Sequence, residues 1–148
     1  YNTPYGSELK TLLAKVPVKV STADRPDETA ALCEYIAPDH HYLESWADAS
    51  PKKGYYSLGQ PTISPLFKTR QVIESLLKWS GNATDADSYI QSLWKEDLFP
   101  SSGSASFQAF WDAALHDGVY ETKSNAAESA SFSYDLSSVV GAISNTYK

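Results

Sequence analysis

The side chains that could do chemistry are concentrated between residues 24 and 48, where acids, two adjacent histidines and one cysteine lie around a short apolar segment. The adjacent pair is His40 and His41. An acid lies on either side, Asp39 before the pair and Glu44 after it, and such a set could bind a metal ion or transfer protons. However, consecutive side chains of a strand point to opposite faces, and the H-E-x-x-H spacing of helical zinc sites is absent. The pattern therefore favours a polar loop at a strand end, with each imidazole hydrogen-bonded to a neighbouring acid, over a metal site.

A cluster of alternating charge precedes the histidines and comprises Asp24, Arg25, Asp27 and Glu28. Its carboxylates have no apolar residues immediately around them, so we predict local ion pairs and helix capping rather than a catalytic carboxylate pair. Cys33 lies in an apolar segment, which favours a place in the core over a nucleophilic role. A single cysteine also excludes an internal disulfide and an all-cysteine zinc or iron–sulfur site within this chain.

The overall composition limits the class of protein. A chain of 148 residues is long enough for one domain with its own core. Its net charge of −6 and pI near 4.9 argue against a nucleic-acid partner, which would require a basic stripe. No run of about twenty apolar residues occurs, so we expect no direct membrane span. Because the chain begins at Tyr1 and contains no methionine, we expect it to be an excised or processed piece of a longer polypeptide.

The spacing of apolar residues near the start predicts a helix, a strand, a second helix and a second strand, at residues 7–15, 16–22, 27–33 and 35–37. Two strands joined through a crossing helix favour a parallel sheet, so the predicted fold class is α/β. Residues 39–63 show no periodicity and are rich in glycine and proline, which predicts a long irregular loop. Loops of that length usually carry function or cover a partner.

A helical segment and a Ser-rich tail complete the chain. Helical spacing predicts helices at 64–81, 84–94 and 107–118, with a Ser-rich linker at 101–106. The segment 137–144 has the composition of a strand. We therefore predict one domain over residues 1–122, followed over 123–148 by a Ser-rich linker and the start of a further strand.

Parts of this pattern resemble a known family. A helix start, an apolar strand end and an acidic loop follow one another as Glu28-Thr29-Ala30, Glu34-Tyr35-Ile36-Ala37-Pro38 and Leu43-Glu44. This order resembles the large subunits of the molybdopterin oxidoreductase superfamily. Within it, the segments 27–49 and 56–81 are most similar to the iron–sulfur subunit of bacterial alternative complex III, a quinol-oxidising respiratory complex. The resemblance extends from about residue 17 to residue 81.

The resemblance implies a fold, a cofactor-facing surface and partners. Residues 1–122 would be a Rossmann-like layer of a larger subunit, with the loop after Pro38 approaching the place of the pterin cofactor. The candidate residues for that face are His40, His41, Glu44, Trp46, Asp48, Gln60 and Arg70. Iron–sulfur clusters are expected elsewhere in the parent subunit. The implied partners are the rest of the parent chain and the other subunits of a membrane-bound complex, at the periplasmic side of the inner membrane.

One departure from the family pattern bears on the cofactor. Catalytic members follow their acid with a glycine-rich, Asn-containing segment that packs on the pterin, whereas Glu44 is followed by Ser45-Trp46-Ala47-Asp48 and the next glycine is Gly54. We therefore expect a structural domain without its own redox centre, in a branch that keeps the fold and lacks the molybdenum cofactor. Two alternatives stay open: part of the pterin pocket of a catalytic oxidoreductase, and a stand-alone binding module that uses exposed tryptophans and tyrosines.

Overall fold

The computed structural model describes residues 3–122, 133 and 135–146. Its first part contains helix α1 (Gly6–Leu13), strand β1 (Val20–Ser21), a 3₁₀ turn (Ala30–Leu32) and strand β2 (Tyr35–Ile36). The two strands pair in parallel, with Val20 opposite Tyr35 and Ser21 opposite Ile36. The α/β fold class and the parallel connection are therefore confirmed. The parallel layer has only these two strands in the described residues, and both β1 and the turn are shorter than the predicted elements.

Local polar contacts organise the turn between the two strands. The side-chain Oδ1 of Asp27 accepts a hydrogen bond from the backbone N–H of Ala30 at 2.6 Å. The side chains of Asp24 and Arg25 form an exposed ion pair with 3.6 Å between Oδ2 and Nε. The predicted ion pairing is thus confirmed for Asp24 and Arg25, whereas Asp27 binds the start of a 3₁₀ turn in place of the predicted helix. Cys33 is half-buried.

The middle of the chain forms an antiparallel sheet instead of the predicted irregular loop. Strands β3 (Ala47–Lys52), β4 (Tyr55–Gly59) and β5 (Val119–Glu121) lie in the order β3-β4-β5. The β3–β4 hairpin turns at Lys53 and Gly54, where Gly54 has a φ of 81°. The prediction for residues 39–63 was wrong because β3 is exposed along its whole length and contains Pro51, so it lacks the apolar alternation that marks a strand.

The three predicted helices after residue 64 are confirmed with corrected bounds. Helix α2 spans Val72–Trp79, and α5 spans Phe107–Asp117. Helix α3 (Ala86–Leu93) continues through a π-helical turn (Trp94–Leu98) into α4 (Phe99–Ser102), so the predicted linker at 101–106 begins inside a helix. Helix α3 is capped by the carboxylate of Asp85, which accepts from the backbone N–H of Ser88 at 2.9 Å. Helix α5 ends at Gly118, whose φ of 68° is the left-handed conformation that glycine supplies at no steric cost.

The tail contains a helix, α6 (Ser137–Thr146), where a strand was predicted at 137–144. The carboxylate of Asp135 accepts from the backbone N–H of Ser137 at 2.9 Å and so satisfies a free donor of the first turn. The valines in this segment favour a strand by composition, but the preceding cap favours a helix. Residues 123–132 and 134, which make up most of the predicted Ser-rich linker, lie outside the described residues. The domain boundary at residue 122 stays a prediction.

The apolar core lies between the antiparallel sheet and helices α3 to α5. Its buried members are Leu58, Ile90, Trp94, Leu98, Phe110, Trp111 and Ala114. Trp94 is at its centre: its side chain is 2% exposed and packs edge-on against Trp111 with ring centroids 5.8 Å apart. Its indole N–H also donates to Asp48 on β3 at 3.0 Å, so a polar contact ties the sheet to the helices.

The part of the chain before residue 46 buries few apolar side chains. Among its described residues, Ala30 is the single buried apolar side chain, while Val18, Tyr35 and Ile36 are more than half exposed. Parallel strands are normally covered on both faces, so this small sheet lacks the packing that such strands usually have. In the described ranges, no helix combines the length and the hydropathy that crossing a bilayer requires.

Replacing Trp94 with alanine should lower the free energy of unfolding by about 3–5 kcal/mol, because it leaves a cavity at the centre of the core. The matched control is Trp79→Ala, which removes a tryptophan side chain that is 54% exposed. The control should change stability by about 0.5 kcal/mol or less. Urea unfolding followed by far-UV circular dichroism measures both variants, and equal losses would contradict the assignment of the core.

Candidate functional site

Four of the seven predicted cofactor-facing residues, His40, His41, Glu44 and Arg70, lie at a junction between two parts of the chain. We use the name junction for residues 38–45 together with residues 62–72. Within it, the carbonyl of Leu43 accepts from the backbone N–H groups of Thr62 at 2.8 Å and Ile63 at 3.1 Å. The carbonyl of Pro38 accepts from the N–H of Arg70 at 3.3 Å. The two stretches are thus held side by side along their length, although neither is part of a strand or a long helix.

Glu44 is the buried carboxylate of the junction, with 6% of the residue exposed. Its Oε2 accepts from the backbone N–H of His41 at 3.0 Å, and its Oε1 accepts from the backbone N–H of Leu66 at 2.9 Å. The hydrogen bond from Leu66 is the main cause of a lowered pKa for Glu44. Burial opposes that change, and the bond from His41 and the nearby charge of His40 and His41 add to it. Glu44 is therefore an anion at neutral pH with both oxygens engaged.

The neighbouring histidine completes a reciprocal cap. Residues Tyr42–Glu44 form a 3₁₀ turn with His41 at its N-cap position. The Nδ1 atom of His41 accepts from the backbone N–H of Leu43 at 3.3 Å, while the carboxylate of Glu44 reaches back to the N–H of His41. This arrangement requires the proton of a neutral His41 to lie on Nε2.

Asp39 acts over a much longer distance in sequence. Its Oδ1 accepts from the backbone N–H of His40 at 2.8 Å and from the N–H of Val72 at 2.9 Å. Val72 is the first residue of α2, and Gln71 at the N-cap makes no capping hydrogen bond with its own side chain. A carboxylate from 33 positions earlier thus satisfies a free donor of this helix and places negative charge at its positive end.

The imidazole of His40 pairs with the hydroxyl of Thr69 through Nδ1. That of His41 contacts the N–H of Leu43. The predicted hydrogen bonds between these imidazoles and the neighbouring acids were therefore wrong. The acids instead accept from backbone N–H groups, which are the more numerous donors at a chain junction. The predicted polar loop at a strand end was correct.

Four of the seven predicted residues surround two neighbouring cavities beside the junction. His40 and Trp46 line both a cavity of about 340 Å³ and one of about 460 Å³. Glu44 lines the larger of these and Asp48 the smaller. Trp46 also stacks on Trp111 of the core with centroids 6.3 Å apart, so it joins the cavity wall to the core.

The other predicted residues lie elsewhere. The exposed side chain of His41 lines a third cavity of about 520 Å³, whose wall also includes Glu44, Leu66 and Phe67. Gln60 is exposed and lines none of these three cavities. Arg70 faces two other cavities, of about 210 and 280 Å³. The assignment of these seven residues to a cofactor-facing surface stays a prediction.

Sequence reasoning missed Thr69 and Gln71, which also organise this region: the hydroxyl of Thr69 pairs with His40, and Gln71 is 7% exposed. It singled out Asp39 as the acid beside the histidines but did not predict its hydrogen bond to the start of α2. No sequence pattern connects it with Val72, because the contact depends on the path of the chain between them.

The hydrogen bonds that Asp39 and Glu44 already make limit the reactions that the junction could catalyse. The ionised Glu44 has no proton to donate at neutral pH, and both of its oxygens already accept hydrogen bonds. Among the described residues, no three histidine, cysteine, aspartate or glutamate side chains are grouped as a metal site requires. The arrangement is suited to joining chain segments rather than to proton transfer.

Replacing Glu44 with glutamine should lower the denaturation midpoint, because the amide keeps one oxygen where the carboxylate used two. Glu96→Gln removes the same charge from an exposed side chain and should leave the midpoint nearly unchanged. Thermal unfolding at pH 7 compares the two variants. If Glu96→Gln had the larger effect, the structural role of Glu44 would be refuted.

The same carboxylate should make stability depend on pH. The pKa of Glu44 in the folded chain lies below its ordinary value of 4.5, so near that pH the unfolded chain binds more protons than the folded one. The stability from this group is fully present above pH 4.5 and is lost as the pH falls below it. The midpoint of the native chain should thus fall more steeply between about pH 5 and pH 3 than that of Glu44→Gln, as measured by unfolding across this range. Parallel profiles would contradict the lowered pKa.

Comparison with known proteins shows which protein this chain resembles in sequence. No family model matches the chain. Over 85 residues it is 38% identical to a protein of Nitratidesulfovibrio vulgaris named menaquinone reductase, molybdopterin-binding-like subunit. The aligned part covers 55% of this chain and 12% of that protein, so the chain matches a small part of its relative's length. The similarity supports a relationship to molybdopterin oxidoreductase-like proteins.

Proposed function

We propose that this chain is a structural domain of a large subunit in a quinone-coupled respiratory oxidoreductase, and that it holds no redox centre of its own. One observation carries the proposal: the acids on the predicted cofactor-facing segment bind the protein's own backbone. Glu44 accepts from His41 and Leu66, and Asp39 accepts from His40 and Val72. The two carboxylates therefore hold segments of the chain together instead of binding a ligand.

The relative supports the respiratory assignment. Its name identifies a subunit of a menaquinone reductase and calls that subunit molybdopterin-binding-like. The sequence resemblance to alternative complex III concerns another quinone-coupled complex, which oxidises quinol. We therefore propose the quinone-coupled class, with alternative complex III as one specific member of it. The partners in this proposal are the other subunits and the rest of the parent chain, and the place is the periplasmic side of the inner membrane.

A pterin cofactor does not fit the junction well. A bound pterin would need unengaged hydrogen-bonding groups, whereas Glu44 uses both oxygens on backbone donors and the Nδ1 atom of His40 is paired with Thr69. Gln60 and Arg70, which could have supplied further groups, do not line the two cavities that His40 and Trp46 share. The iron–sulfur clusters that the resemblance implies belong to other parts of the parent subunit in this proposal.

The competing function is a contribution to the pterin pocket of a catalytic oxidoreductase. The observation in its favour is that His40 and Trp46 line two neighbouring cavities of about 340 and 460 Å³. These volumes fall at the lower end of the range for small-molecule sites. The engaged acids make it the weaker of the two proposals.

The deciding measurement is the metal and pterin content of the full-length natural polypeptide. Elemental analysis reports iron and molybdenum, and fluorescence after oxidation reports the pterin. We expect iron without molybdenum and without pterin. Molybdenum at about one atom per chain, together with pterin fluorescence, would favour the catalytic alternative. In that case the variants His40→Ala and Trp46→Ala should contain less pterin than the variant Gln60→Ala.

A further inference from the structure

One cavity has a positively charged wall. It has a volume of about 280 Å³ and is lined by Ala37, Pro38, Lys68, Thr69, Arg70, Ser75 and Trp79. Two of these residues are cations and none is a carboxylate. The cavities of about 210, 340, 460 and 520 Å³ each include at least one aspartate or glutamate in the wall. In a chain of net charge −6, the surface around Lys68 and Arg70 is a local positive exception.

The two cations are available for a partner. Within the described residues the ion pairs involve Lys19, Arg25 and His116, and no described carboxylate lies within 4 Å of Lys68 or Arg70. Arg70 also lines the cavity of about 210 Å³, whose wall includes Glu74 and Asp85. Both side chains are exposed, so they carry their charge into solvent. Unpaired cations so close in sequence repel each other, and an anionic partner would relieve that repulsion.

The junction holds these cations in position. The backbone N–H of Arg70 donates to the carbonyl of Pro38 at 3.3 Å, and the hydroxyl of the intervening Thr69 contacts His40. The backbone that carries both cations is therefore fixed before any partner arrives. Such preorganisation lowers the entropic cost of binding.

An exposed aromatic residue lies beside the cations. Trp79 ends helix α2 with 54% of its side chain exposed, and Leu76, one turn earlier, is 57% exposed. Tryptophan and arginine are among the residues most enriched at the positions that dominate protein–protein binding energy. Aromatic and apolar surface next to cations matches a protein segment that carries both an acid and an apolar residue.

We infer that Lys68, Arg70 and Trp79 form a docking surface for an acidic segment of a neighbouring subunit. Carboxylates of that segment would pair with Lys68 and Arg70, and an adjacent apolar side chain would pack on Trp79. The net charge of −6 disfavours a nucleic acid, because its phosphates would be repelled by the rest of the surface. The inference rests on the proposed function, since it requires a complex with other subunits.

The test uses the full-length natural polypeptide with an affinity tag, expressed in its own organism with its partner subunits. The double reversal Lys68→Glu with Arg70→Glu should reduce the amount of at least one co-purified subunit about tenfold. The control Lys15→Glu with Lys53→Glu reverses the same charge at two exposed positions away from this surface and should retain all subunits. Quantitative mass spectrometry of the purified complexes measures both.

The outcomes separate this inference from the proposed function. If the native protein retains its subunits and the Lys68/Arg70 reversal retains them equally, the docking surface is refuted while the proposed function stands. If the native protein retains no subunit, the proposed function itself fails, and the inference fails with it.

A second measurement on the native complex does not depend on the variant folding. A water-soluble carbodiimide joins an amine directly to a carboxylate that it contacts, so Lys68 should be cross-linked to an aspartate or glutamate of another subunit. Peptide mass spectrometry identifies the linked pair. A link from Lys68 to an acid of its own polypeptide, or no link while other lysines react across subunits, would overturn the inference.

Discussion

The structure depends on two carboxylates that accept hydrogen bonds from distant backbone. Asp39 and Glu44 bind the N–H groups of Val72 and Leu66, and so fix the path of the chain between the hairpin and helix α2. The stretch from residue 62 to 71 has no strand or helix of its own, and its backbone donors must find partners elsewhere. The position of α2, and of the charged and aromatic side chains around it, follows from these contacts.

The chain stabilises its two regions in different ways. After residue 46, an aromatic core centred on Trp94 packs the antiparallel sheet against helices. Before residue 46, hydrogen bonds and capping predominate, and Ala30 is the one buried apolar side chain among the described residues. Exposed strands such as β1 and β2, with Tyr35 and Ile36 open to solvent, are expected where further chain or another subunit supplies the missing packing.

These features are the basis of the proposed role in assembly. A catalytic carboxylate needs an oxygen that can reach a substrate, whereas Glu44 is buried and accepts backbone hydrogen bonds through both oxygens. Lys68 and Arg70 are instead cations without a carboxylate partner among the described residues, next to the exposed Trp79.

Local patterns in the sequence determined the helices near Val72, Ala86 and Phe107, the parallel β1–β2 connection and the charge cluster around Asp27. Periodicity, caps and turn residues act within a few positions and can therefore be recognised in a sequence. The β3–β4 hairpin and the bonds of Asp39 and Glu44 to residues far along the chain were decided by tertiary structure. An exposed strand has no apolar alternation, and a hydrogen bond across 22 or 33 positions leaves no spacing to detect. For the same reason, the pairing of His40 with Thr69, 29 positions later, became visible only once the chain was folded.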